Sequence, residues 1–146
     1  ERHLRPGQSV LDLGSGSGIL SIAAIRLGAS RATGIEIDED ANVVAVRNAE
    51  QNDVTATCTF LDGDAALLAP LLGPVDLLLS NILRTVNVTL LPAIRAALAP
   101  GGLAIFSGME EGEAPLFRPV LASAGFEIVD EVLDAAWCAV AARRAP

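Results

Sequence analysis

The chain contains no lysine and no tyrosine, and all ten of its strongly basic residues are arginine. Without lysine there is no Schiff-base nucleophile, and without the tyrosine–lysine pair the proton relay of short-chain dehydrogenases is excluded. Cysteine is scarce: Cys58 and Cys138 stand far apart, each in a strand-like run and neither in a C-x-x-C pair. Two buried free thiols are expected, and no residue is assigned to a metal. Long apolar runs are missing too. The strand-like ones, such as Val75 to Leu79, stop after a few residues, so no membrane span is expected. Glu1-Arg2-His3-Leu4-Arg5 lacks the apolar core of a signal peptide, which makes a cytoplasmic setting the expectation.

The length is 146 residues, of which 51% are hydrophobic, enough for one domain with its own core and too many for disorder. The net charge is −8. That balance opposes a nucleic-acid groove on this domain and suits a basic partner.

The chain is organised around Val10-Leu11-Asp12-Leu13-Gly14-Ser15-Gly16-Ser17-Gly18. Strand-like residues run into a loop with glycine at every second position, and a helical run starts at Ile19. Free N–H groups and the positive end of a helix dipole then face whatever lies in the loop. A dinucleotide fingerprint reads G-x-G-x-x-G, whereas this loop reads G-x-G-x-G behind Asp12. The motif Asp12-x-Gly14-x-Gly16-x-Gly18 resembles the first motif of class I S-adenosylmethionine-dependent methyltransferases. That cofactor carries an ammonium and a sulfonium and no pyrophosphate, so a carboxylate beside the loop fits it better than it fits a dinucleotide.

Along the chain, Glu1 to Arg5 reads as the frayed end of a helix with a solvated His3, broken by Pro6-Gly7. Ile19, Ile22, Ala23 and Ile25 give a helix suited to a sheet face, ended by Gly28. Arg31 to Glu36 reads as the second strand. Glu36 lies about twenty residues beyond the glycine loop, where a nucleotide fold places the carboxylate that holds ribose hydroxyls. Asp38 is expected to cap the next helix, with Ala41, Val44 and Val46 on its buried side, and Asn52-Asp53 to close it. Thr55 to Leu61 reads as the third strand. In Asp62-Gly63-Asp64-Ala65, Asp64 is either an adenine contact or part of an ordinary turn. Val75 to Leu79 reads as a central parallel strand and delivers Asn81 to its carboxyl end, beside the glycine loop. A helix follows over Leu83 to Leu98, then a strand over Leu103 to Ser107, a helix over Pro115 to Ala124, and a closing hairpin of Phe126 to Leu133 and Trp137 to Arg143. The expected fold is an α/β Rossmann-like three-layer sandwich. Its seven-stranded sheet is mostly parallel, the last strand in sequence is antiparallel, and helices cover both faces.

The strings VLDLGSGSGILSIAAIRLGA, GIEIDEDANVVAVRNAEQN, SNIL, LAPGGLAIFSG and AWCAVAARR resemble the catalytic domain of the PrmA family over nearly the whole chain. The resemblance implies an S-adenosylmethionine-dependent protein N-methyltransferase. Its substrate would be a ribosomal protein of the large subunit, methylated on lysine side chains and the N-terminal amine. It implies a cofactor set of Asp12, Gly14, Ser15, Gly16, Glu36, Ile37, Asp64 and Asn81, with Asn81 also at the reacting centre. Residues 1–146 are expected to form the class I catalytic domain alone, because the family's N-terminal substrate-recognition domain is absent from this chain. Glu36 stands where many relatives have aspartate. Ile82-Leu83 replace the two prolines with which nucleic-acid amino-methyltransferases follow this polar residue, which weakens a nucleic-acid substrate. Methylation of another protein or a small molecule, and a non-catalytic cofactor-binding module, are the alternatives.

Overall fold

The computed structural model describes residues 1–145. Seven strands form one sheet: β1 (Ser9–Leu13), β2 (Arg31–Glu36), β3 (Cys58–Asp62), β4 (Val75–Asn81), β5 (Leu98–Glu110), β6 (Phe126–Asp134) and β7 (Trp137–Arg144). Their order is β3-β2-β1-β4-β5-β7-β6, and only β7 runs antiparallel, to both of its neighbours. The helices are α1 (Ile19–Arg26), α2 (Glu39–Gln51), α3 (Ala65–Leu72), α4 (Arg84–Ala97) and α5 (Ala114–Ser123).

Alternation along the strands divides the core in two. Leu11, Leu13, Leu78, Phe106 and Val140 meet α3, α4 and α5 on one face, while Val10, Leu77, Leu103 and Ala141 lie on the other with α1 and α2. This is the expected three-layer sandwich. The chain builds outward from β1 through β2 to β3, then returns to place β4 on the other side of β1. Ligands bind at such a reversal, outside the carboxyl ends of the strands. Gly14 follows β1 and Asn81 ends β4, so the crevice opens between them.

Several local expectations are corrected. Glu1 to Arg5 forms no helix, and His3 is half-buried, its Nε2 2.8 Å from Asp130 Oδ2 on β6. The buried face of α2 is Asn42, Ala45 and Ala49, while Val44 and Val46 are exposed. Asn42 turns inward because its amide donates to the Asp62 carboxylate. The third strand starts at Cys58 because the chain first makes a turn in which Thr57 N–H donates to the Val54 carbonyl. Asp76 interrupts the apolar run of β4. Its Oδ2 accepts from both the backbone N–H and the hydroxyl of Ser9 at 2.8 Å, and those two bonds hold its carboxyl below the usual range. Helix α3 has no counterpart in the sequence reading. Both cysteines are free and buried, and burial pushes the Cys58 thiol up to about 11. Among the described residues, no helix is long and apolar enough to cross a membrane.

Candidate functional site

The glycine loop is tied both to β2 and across itself. Gly14 and Ser15 N–H groups both donate to the Ile35 carbonyl, at 2.9 and 3.2 Å, and Gly18 N–H donates to Ser15 O at 2.8 Å. Gly14 takes φ +65°, and a Cβ there would meet Ile82 Cγ2 at 2.6 Å. Only glycine lets the loop lie this close to the residue that follows Asn81.

Glu36 closes the second side. Its Oε2 accepts from Gly16 N–H at 2.9 Å, and its Oε1 accepts from Ile37 and Asp38 N–H at 2.8 and 3.1 Å. Three backbone donors therefore hold the carboxylate at the mouth of the loop, and Oε2, which accepts only one of them, keeps a free acceptor position. The turn after β3 docks on the same residue, with Gly63 N–H donating to the Glu36 carbonyl at 2.9 Å. Asp38 caps α2 as expected, through Asp40 N–H. Asp64 caps α3 through Ala66 N–H at 2.8 Å, using Oδ1.

A cleft of about 270 Å³ brings Gly14, Glu36, Ile37 and Asp64 together, with Ile35, Ile82, Val86 and Leu90 as its apolar walls. A second, wider cleft of about 640 Å³ adjoins it, lined by Asn81, Ile82, Leu83, Ser107, Gly108, Val132, Asp134 and Trp137. Ile82 lines both. Neither cleft has an arginine or histidine in its wall.

Asn81 is exposed at the second cleft. It does not cap the following helix: the N-cap of α4 is Leu83, and no side chain caps it. Gly108 is what gives Asn81 its room. It has φ +75°, and a Cβ there would stand 2.8 Å from Asn81 Oδ1 and 2.9 Å from Ile82 N. Trp137 and Asp134 come from the closing hairpin and complete this cleft. Sequence reasoning did not place them in the site, since only the sheet order brings β7 next to β5.

Not every expected residue reaches a cleft. Asp12 is only 1% exposed and lies beneath the loop, where its Oδ2 accepts from Ser21 N–H at 3.1 Å and Ser21 Oγ at 2.8 Å. Ser15 is also buried, and Asp12 Oδ1 and Ser15 Oγ have no partner among the described residues. Asp12 thus anchors the first turn of α1 and sets the loop from below. Gly16 contributes its N–H to Glu36 rather than to the cleft.

Burial raises the Asp12 carboxyl to about 6, against lowering by its two Ser21 hydrogen bonds, with the Glu36 charge adding to the rise. The folded state therefore holds this proton more tightly than the unfolded chain, whose carboxyl titrates near 3.8. The stability this adds is present below pH 4 and is lost as pH rises through about 6, a swing of about 3 kcal/mol. Asp12→Asn should remove that swing while keeping an acceptor for Ser21. Urea midpoints at pH 4 and pH 8 check it: the variant should gain on the parent protein at pH 8 relative to pH 4. An equal difference at both values would contradict a buried carboxylate.

Comparisons with known proteins bear on the family and the fold. A family model described as Ribosomal protein L11 methyltransferase (PrmA) matches residues 1–145. The Ribosomal protein L11 methyltransferase of Thermus thermophilus is 43% identical over 140 residues, which is 96% of this chain and 54% of that protein. The crystal structure of ribosomal protein L11 methylase from Lactobacillus delbrueckii subsp. bulgaricus superposes with a TM-score of 0.91 at 31% identity, covering 99% of this chain and 74% of that one. An RNA methyltransferase from Salinibacter ruber, solved with S-adenosyl-L-homocysteine, has a TM-score of 0.76 at 24% identity over 94% of this chain and 81% of its own, and shares the fold alone. This chain spans about half the length of the curated relatives it matches. By the family match and by identity over nearly its whole length, it belongs to the ribosomal protein L11 methyltransferase (PrmA) family.

Proposed function

We propose that residues 1–146 are the class I catalytic domain of an S-adenosylmethionine-dependent protein N-methyltransferase acting on ribosomal protein L11. The observation that carries the cofactor is the charge of the clefts. Glu36, Asp64 and Asp134 line them and no cationic side chain does, so a pyrophosphate meets carboxylates without a side-chain counter-charge while a cationic ligand with a ribose finds several acceptors. The orphaned Asp12 Oδ1 beneath the loop adds negative potential on the same side. Glu36 would hold the ribose hydroxyls, Ile37 and Ile82 would enclose the adenine, and Asp64, whose Oδ2 is not used in capping α3, would accept from its amine.

When bound, the cofactor supplies a methyl group already activated on a sulfonium. What this chain must do is hold an uncharged amine in line with that bond and keep water away. Asn81 lines the second cleft, and its Oδ1 could accept an amine N–H there, leaving the nitrogen lone pair free for the methyl group. Ile82, Leu83, Val132 and Trp137 make the surroundings apolar, and desolvation lowers a lysine pKa toward the neutral form. No strong base is required in this scheme.

The substrate reading rests on the family and on charge: a chain of net charge −8 suits a basic partner and opposes direct nucleic-acid contact. Calorimetric titration of the chain with S-adenosylhomocysteine and with NAD tests the cofactor. Saturable binding of the first alone is the expected result, and binding of NAD would overturn it.

A further inference from the structure

Helix α4 carries its core face at Asn87, Leu90, Leu91 and Ile94, positions spaced 0, 3, 4 and 7, and all four are buried. An aliphatic residue would extend that face at position 87. The chain instead puts an amide there at 0% exposure, which is costly unless its hydrogen bonds are made. They are made, and to one place. Asn87 Oδ1 accepts from Ser80 Oγ at 2.6 Å, and Asn87 Nδ2 donates to the Ile82 carbonyl at 3.1 Å. Its backbone N–H donates to Leu83 O at 3.0 Å. Ser80, Ile82 and Leu83 are the residues on either side of Asn81.

We propose that Asn87 is the positioning residue of the acceptor site, holding both flanks of Asn81 so that its amide meets the substrate amine in line. This rests on the proposed methyl transfer. Sheet pairing with β5 holds Ser80 and Asn81, but it ends there: beyond it Leu83 is 66% exposed and the start of α4 lacks a side-chain cap, so Asn87 ties the connection from β4 to α4. With its carbonyl held by Asn87, Ile82 presents its side chain to Gly14, so the acceptor loop and the glycine loop are set against each other. The Ile82 carbonyl is thereby engaged inward, and the Asn81 amide is the acceptor presented to the cleft.

The test uses Asn87→Leu in the natural full-length protein, with methylation of ribosomal protein L11 read by mass spectrometry. Leucine restores the aliphatic face of α4, so the melting temperature should hold or rise. Affinity for S-adenosylhomocysteine should stay within about twofold while kcat falls on the order of 10- to 100-fold, the scale of a small misplacement of a reacting group. Loss of turnover in a protein of undiminished stability is a pattern that a purely structural amide does not produce. Ser80→Ala serves as the milder variant: it removes the Oδ1 partner, keeps the bond to Ile82, and should lower kcat less than Asn87→Leu does. Should Asn87→Leu fold poorly, Ser80→Ala carries the decision by the same split of kcat from affinity. Full turnover in the folded variants would overturn the role of Asn87 and leave methyl transfer standing. An unaltered protein that methylates nothing would overturn both.

Discussion

Asn81→Asp in the natural full-length protein is expected to abolish most methyl transfer, with cofactor affinity and melting temperature close to those of the unaltered protein. The carboxylate is nearly isosteric with the amide, so the loop should keep its shape. Its charge, however, favours the ammonium form of the incoming amine, and an ammonium has no lone pair to donate. Asn81→Ala should lose turnover as well, on the order of 10- to 100-fold, because the acceptor that aligns the amine is gone. The competing view is that Asn81 serves the start of α4, as asparagine often does. That view predicts an active Asn81→Asp enzyme and a destabilised Asn81→Ala one. The geometry already disfavours it, since Leu83 occupies the N-cap position and no side chain caps the helix. Methylation assays beside melting curves for the two variants separate these patterns.

Glu36→Ala carries the second large effect, on binding rather than turnover. The carboxylate is the one group in the first cleft that is pinned by three backbone N–H donors and still has an acceptor position, on Oε2, to offer. Removing it should cost about 1.5–3 kcal/mol in S-adenosylhomocysteine affinity, or roughly 10- to 150-fold in Kd. Glu36→Gln keeps one strong acceptor and should fall between. Titration calorimetry reads both, and unchanged affinity in Glu36→Ala would remove this residue from the site.

The parts of the site that were legible in the sequence are those where local chemistry and chain order act together. The strand–glycine–helix run located the loop, a carboxylate at the end of the second strand located Glu36, and an apolar strand ending in a polar residue located Asn81. All three lie at the reversal of strand order, because the crossover rule leaves few other places for them. The misses have a common cause in side chains whose partners are distant in sequence. Apolar spacing puts Ala41, Val44 and Val46 on the buried side of α2, but the bond from Asn42 to Asp62 turns Asn42 inward and rotates that face to Asn42, Ala45 and Ala49. His3 looked solvated until β6 brought Asp130 to it. Trp137 and Asp134 join the second cleft only through the pairing of β7 with β5. Helix α3 escaped for a different reason: Ala65 to Leu72 reads AALLAPLL, with no polar residue to mark a period and Pro70 within it. Asp12 reads as a carboxylate beside the loop, and its burial under α1 is not legible, since alternation along β1 alone does not reveal what α1 covers.

The central claim is that these two adjoining clefts transfer a methyl group to a protein amine. The most direct measurement is a mass spectrum of ribosomal protein L11 after incubation with the natural full-length protein and S-adenosylmethionine. Mass increments of whole methyl groups, located on lysine side chains and the N-terminal amine and lost in Asn81→Asp, are the predicted result. Unmodified L11 in the presence of a protein that binds the cofactor normally would contradict it, and would leave the chain a cofactor-binding module.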